Sequence, residues 1–198
     1  MPIESKTSLT AGDIIPNAEF EANRKELQAE LRAHKQHRRI DVGPFASIFF
    51  ESYFTMWWQI QEMLRVEGGG EEQLADELVA YAPMVPGGRN LSATMMLQIE
   101  DPVRRARELS TLGGIEHEVS LVIGGEAVKG EAEDDLDRTT ADGKASSVHF
   151  FLFPLSDRQA AALKSGEAEV QFRISHPNYN HIAILTADQK TALAADLT

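Results

Sequence analysis

The stretch Lys35–Val66, KQHRRIDVGPFASIFFESYFTMWWQIQEMLRV, constrains the fold more than any other part of the chain. Seven of the 14 aromatic residues fall between Phe45 and Trp58. At helical pitch Tyr53, Met56, Trp57, Ile60, Met63 and Leu64 share one side, and Glu51, Thr55, Trp58, Glu62 and Arg65 share the other. The first side is a core face, because each large aromatic brings roughly 150–250 Å² of buriable surface. The second side combines two carboxylates, an arginine, a hydroxyl and an indole. A solvated face rarely spends an indole, so the stripe is expected to be partly buried and to mark a site.

A chain of 198 residues builds one sizeable core without staples, and the expected organisation is a single domain over residues 1–198. Within it, residues 1–11 read as a loose polar tail, 12–82 as mainly helical and 91–198 as rich in strands. The absence of cysteine removes disulfides, thiolate metal sites and a cysteine nucleophile. A net charge of −12 disfavours nucleic-acid binding. The start MPIESKTSLT lacks the basic and apolar segments of a signal peptide, and no apolar run approaches a membrane span, so the cytoplasm is the expected location. The basic group Arg32, Lys35, Arg38 and Arg39 reads as cations complementing the end of a first helix.

That helix is expected from an Asn17 cap to about Arg39, with Phe20, Leu27 and Leu31 on one face. Glu30, His34 and His37 share an arc with metal-ligand spacing, but the many charges around them favour a solvated face. Arg39–Val42 and Ala46–Phe50 read as strands around Gly43-Pro44. The EGGGEE run at 67–72 follows a helix and lacks the Lys-Ser/Thr of a phosphate loop. From Leu91 onward the period changes to two. Strands are expected over 91–99, 116–123, 126–131, 147–153 and 167–176, with a tight turn at Gly124-Gly125. The acidic loop Glu131–Asp137 lacks the glycine and the closing glutamate of a calcium loop. Asp101-Pro102, Ser156 with Gln159, and Thr186 with Gln189 are helix starts. The class is therefore α+β: an antiparallel or mixed sheet, mainly from the C-terminal half, packed against helices mainly from the N-terminal half.

The run KQHRRIDVGPFASIFFESYFTMWWQIQEMLR, with GIEHEV, SSVHFFLF and SHPNY downstream, resembles the bacterial "domain of unknown function 3501" family over nearly the whole chain. The family brings no established activity. Its gene neighbourhoods imply a place near redox or peroxide metabolism, and a rubrerythrin-like or iron–sulfur oxidoreductase protein as partner.

Three of the six histidines, His117, His149 and His176, lie in the apolar register of their expected strands. In an up-down meander they stand at one end of the sheet, where Glu62 could complete a site for iron, manganese or zinc. The usual alternative for each is a core histidine bonded to a main-chain carbonyl. Glu51, Trp58, Arg65 and Arg39 form a second candidate set, for a ligand, with Arg38, Arg39 and Arg65 as the expected donors to the stripe's carboxylates. Glu62 is expected to be buried and paired. Two functions follow: a protein that binds a metal or small ligand through a His/Glu site, or a non-catalytic accessory module for a redox enzyme. Neither assigns an enzymatic reaction.

Overall fold

A computed structural model describes residues 6–132 and 143–198. In chain order the helices are α1 (Asn17–Lys35), α2 (Tyr53–Glu67), α3 (Glu71–Tyr81), α4 (Pro102–Leu109), α5 (Asp157–Ser165) and α6 (Ala187–Ala194). The strands are β1 (Arg39–Val42), β2 (Ala46–Phe50), β3 (Asn90–Leu97), β4 (Val119–Ile123), β5 (Glu126–Lys129), β6 (Glu131–Ala132), β7 (Val148–Pro154), β8 (Val170–His176) and β9 (Tyr179–Ile184). The α+β class holds, with the long helices first and most strands later.

The strands form two antiparallel sheets, where the sequence led us to expect one. A five-stranded sheet runs β1-β2-β3-β7-β6, and a four-stranded sheet runs β5-β4-β8-β9. Their inner faces supply one continuous core. Ile48, Phe50, Ala93, Met95, Phe151 and Phe153 come from the first sheet, and Leu121, Val170, Phe172 and Ile174 from the second. The rings of Phe50 and Phe153 meet Phe172 edge-on at 6.2 and 5.9 Å.

The expected meander fails at Gly130. The Gly124-Gly125 turn does make the β4–β5 hairpin, with φ of 58° and 88°, as a type I′ turn requires. After Lys129 the chain leaves that sheet, and Glu131–Ala132 pair with β7 of the other. Gly130 permits the crossing because its main chain lies on two rings. A Cβ there would stand 3.0 Å from Phe153 and 3.1 Å from Phe151. The opposite corner is closed by Tyr179 of β9, whose hydroxyl donates to Val42 O (2.7 Å) and accepts from Ala46 N (3.0 Å) in the β1–β2 hairpin. The acidic loop Glu131–Asp137 lies, beyond Ala132, outside the described residues.

Leu109 of α4, Leu163 of α5 and Leu193 of α6 join this core, whereas the first three helices do not. Phe20, Leu27 and Leu31 of α1 join Tyr53, Met56, Trp57, Ile60 and Leu64 of α2, with Leu9 and Val85, in a second cluster. Residues 6–11 are thus not simply a loose tail, since Leu9 is buried. Trp57 Nε1 donates to Asp13 O (2.8 Å), and the fully buried Gln61 binds both main-chain groups of Ile15 (2.8 and 3.2 Å). Pro16, not Asn17, caps α1, and Asn17 donates instead to Leu64 O (3.2 Å). The helix stops at Lys35, so that Arg39 opens β1. No helix among the described residues is long and apolar enough to cross a membrane.

Candidate functional site

The helical cluster lies over the outer face of the five-stranded sheet, and a cavity of about 460 Å³ remains between them. Strand alternation supplies its floor. With Ile48, Phe50, Ala93, Met95 and Phe151 turned to the core, Phe49, Thr94, Met96, Val148 and Phe150 face the helices. Its roof comes from Leu31 of α1, Thr55, Met56, Trp58 and Gln59 of α2, and Tyr81 of α3.

Glu51 is the buried carboxylate on the wall, at 8% exposure just before α2, and Lys35 lines the same space from an exposed position. Its position follows from how α2 starts. Ser52 caps the helix, accepting from Thr55 N (3.2 Å), and Ser52 N donates back to Thr55 Oγ1 (2.8 Å). With that lone pair occupied, the Thr55 hydroxyl donates to Glu51 Oε2 (2.7 Å). The Thr94 hydroxyl donates to Glu51 Oε1 (2.6 Å) from the sheet. Among the described residues the carboxylate has no cation within ion-pair distance. It also sits at the positive end of the α2 dipole, where an anion is favoured. Two hydroxyls leave lone pairs unused on both carboxylate oxygens.

The candidate ligand set divides. Glu51 and Trp58 line the cavity. Trp58 is half-buried, with Phe20 edge-on at 5.2 Å and the Arg24 guanidinium 6.0 Å from its ring. Arg65 is not there: it binds Glu62 (3.0 Å), which also takes Arg24 (2.7 Å). Glu62 is therefore paired as expected but only part-buried, at 19% exposure, and both arginines hold its carboxyl below the ordinary range against the opposing effect of desolvation. Arg39 is also absent. It is an exposed side chain bound to Asp41 (3.0 Å) and laid over the Phe49 ring. The expected arginine donors are replaced by threonines. Arg38 reaches only the main-chain carbonyl of Glu51 (3.3 Å) and spends its other contacts on the α6 end of the chain.

A family model described as "Protein of unknown function (DUF3501)" matches residues 8–197. The chain belongs to this family. A crystal structure of a protein of unknown function from Burkholderia pseudomallei is similar to this DUF3501 chain at 35% identity and a TM-score of 0.88. The similarity covers 96% of this chain and 100% of that one. No curated protein matches.

The metal set expected for this DUF3501 chain is not assembled. Among the described residues no three His, Asp or Glu side chains group as a metal site. His149 faces the core as its alternation requires, but on β7, in the other sheet from His176. Its Nε2 lies 2.9 Å from Ser146 O, and its ring stacks with Phe151. His176 Nε2 lies 3.3 Å from Gly113 O, while its Nδ1 accepts from Asn178 N (3.2 Å). His117 falls in a 3₁₀ turn ahead of β4 and is exposed. Glu62 is committed to its two arginines. The two buried histidines each lie within hydrogen-bond distance of a main-chain carbonyl, the usual arrangement for a core imidazole.

His34, expected on a solvated face, instead sits against Phe54 (5.5 Å) with its Nε2 2.8 Å from Ser52 Oγ. Burial, with Arg38 and Lys35 adding repulsion, pushes its pKa down to about 4. The folded state therefore favours the neutral ring. That stability is complete above the ordinary value near 6.5 and is lost as pH falls toward 4. Discounted for partial exposure, about 1 kcal/mol should disappear between roughly pH 7.5 and 5. Urea midpoints of the wild type and His34→Gln at the two pH values isolate it: the variant should show the shallower pH dependence, and parallel profiles would reject the assignment.

Thr94 was not accessible to sequence reasoning. It is one polar position on an alternating strand, and nothing local distinguishes it from an ordinary outward threonine.

Proposed function

We propose that this chain is a small-ligand-binding protein whose site is the cavity between α1–α3 and the outer face of the five-stranded sheet. The observation that carries the reading is the setting of Glu51: a buried carboxylate, oriented by two hydroxyls from different elements, in the wall of a mainly apolar and aromatic space. A volume of about 460 Å³ lies within the range of small-molecule sites, and few convergent polar groups in an apolar lining are their usual composition. Met56, Met84 and Met96 add adaptable surface, which suits a ligand that enters between packed elements.

Filling the cavity tests this. Met96→Trp places an indole in the space from a half-buried strand position that tolerates aromatic residues. The variant should keep the wild-type circular dichroism and lose affinity for a neutral apolar dye such as Nile red by at least about tenfold. Equal dye affinity in a folded variant would remove the cavity as the site.

A further inference from the structure

We infer that the cavity takes an organic ammonium ion with an apolar body, its charged head on Glu51 and its body among the rings of Trp58, Phe49 and Phe150. This rests on the ligand-binding reading above and names the ligand's chemical class.

Charge and hydrogen-bond donors set the ligand class. Glu51 brings a negative charge into an apolar wall, and its bonds from Thr55 and Thr94 come from neutral hydroxyls. Such a group is costly to bury without a counter-charge, and the protein supplies none within ion-pair distance among the described residues. Arg38 lies on the main-chain side of Glu51 and is neutralised by both oxygens of Asp196 (2.6 and 2.9 Å). An ammonium head has donors and no acceptor, which matches the lone pairs that the threonines leave unused. A carboxylate ligand would meet repulsion instead. The rings favour the same sign: Trp58 and Phe49 each already hold a guanidinium, at 6.0 and 5.4 Å, through the ring quadrupole's attraction for cations. A net charge of −12 further raises the local concentration of cations.

One opposing group is present: Lys35 lines the same cavity from an exposed position on α1. Its flexible ammonium can stay in water, while Glu51 cannot leave the wall.

The test is displacement of Nile red by three probes of one shape, 4-phenylbutylammonium, 4-phenylbutanol and 4-phenylbutanoate, at about 150 mM salt to screen the general charge of the chain. In the wild type the ammonium should displace dye at least about tenfold more effectively than the alcohol, and the carboxylate least of all. In Glu51→Gln the ammonium and the alcohol should come within about twofold of each other, with the alcohol unchanged. If the alcohol equals the ammonium in the wild type, or the carboxylate leads, the cavity binds ligands but the ammonium class is wrong. If the dye itself does not bind, the ligand-binding reading fails and takes this inference with it. The wild-type series decides the matter alone should Glu51→Gln not fold.

Discussion

Replacing Asp196 with alanine is expected to cost about 3–5 kcal/mol, read as a lower urea midpoint. Asp196 and Arg38 form a two-pronged pair at 2.6 and 2.9 Å, with side-chain exposures of 5% and 4%. The same guanidinium donates to Ala192 O (2.9 Å) and Glu51 O (3.3 Å). One side chain thus ties the end of α6, the approach to β1 and the start of α2 together. Truncating Asp196 leaves that guanidinium buried and without its counter-charge, which accounts for the size of the loss. Burial pushes the Asp196 carboxyl above its ordinary value even against the pull of Arg38, a sign that desolvation is not fully repaid. The double variant Arg38→Met with Asp196→Leu should therefore recover most of the loss, since it removes both charges and keeps the volume. A single-variant cost under about 1 kcal/mol would mean that water reaches Arg38 and that the pair acts as a surface one.

This pair also shows where local reading ends. Arg38 was legible as a cation near the end of a helix, but its partner lies 158 residues away, and no local pattern points from one to the other. The local rules did hold. Asp101 caps α4 ahead of Pro102, and Ser156–Gln159 and Thr186–Gln189 close capping boxes on α5 and α6. Strand alternation placed His149 and His176 inward, and both are buried. What alternation cannot say is which sheet a strand joins, because a strand of either sheet buries every second residue in the same way. The chain changes sheets at Gly130, where a Cβ would stand 3.0 Å from Phe153 and 3.1 Å from Phe151. That partition separates His149 from His176, and His117 lies exposed in a 3₁₀ turn ahead of β4.

The cavity wall was half legible for a related reason. Glu51, Thr55 and Trp58 are neighbours on one helical arc, so their spacing shows them together before any tertiary contact is known. Arg65 continues that arc, yet α1 intercepts it: Glu62, already joined by Arg24, holds Arg65 along the α1–α2 seam. Thr94 completes Glu51 from a strand 43 residues later. The strand expected over 147–153 is apolar on both faces, and both faces proved to have a use. Phe151 and Phe153 enter the inter-sheet core, while Val148 and Phe150 floor the cavity.

Those two faces separate stability from binding, and Phe172→Ala exploits the separation. Phe172 is fully buried on β8 and touches Phe50 and Phe153 across the gap between the sheets, at 6.2 and 5.9 Å. Removing its ring takes away transfer energy, leaves a cavity that two stiff sheets cannot close, and ends two edge-on ring contacts. The expected cost is about 3–5 kcal/mol. Phe50 and Phe153 present their rings to that core, whereas Phe49, Thr94 and Phe150 face the cavity on the other side of the same sheet. The folded variant should therefore bind Nile red with unchanged affinity while its urea midpoint falls. A stability loss under about 1.5 kcal/mol would mean that Phe172 is not the joint between the sheets. A large loss accompanied by weaker dye binding would show that the five-stranded sheet transmits core strain to the Glu51 wall.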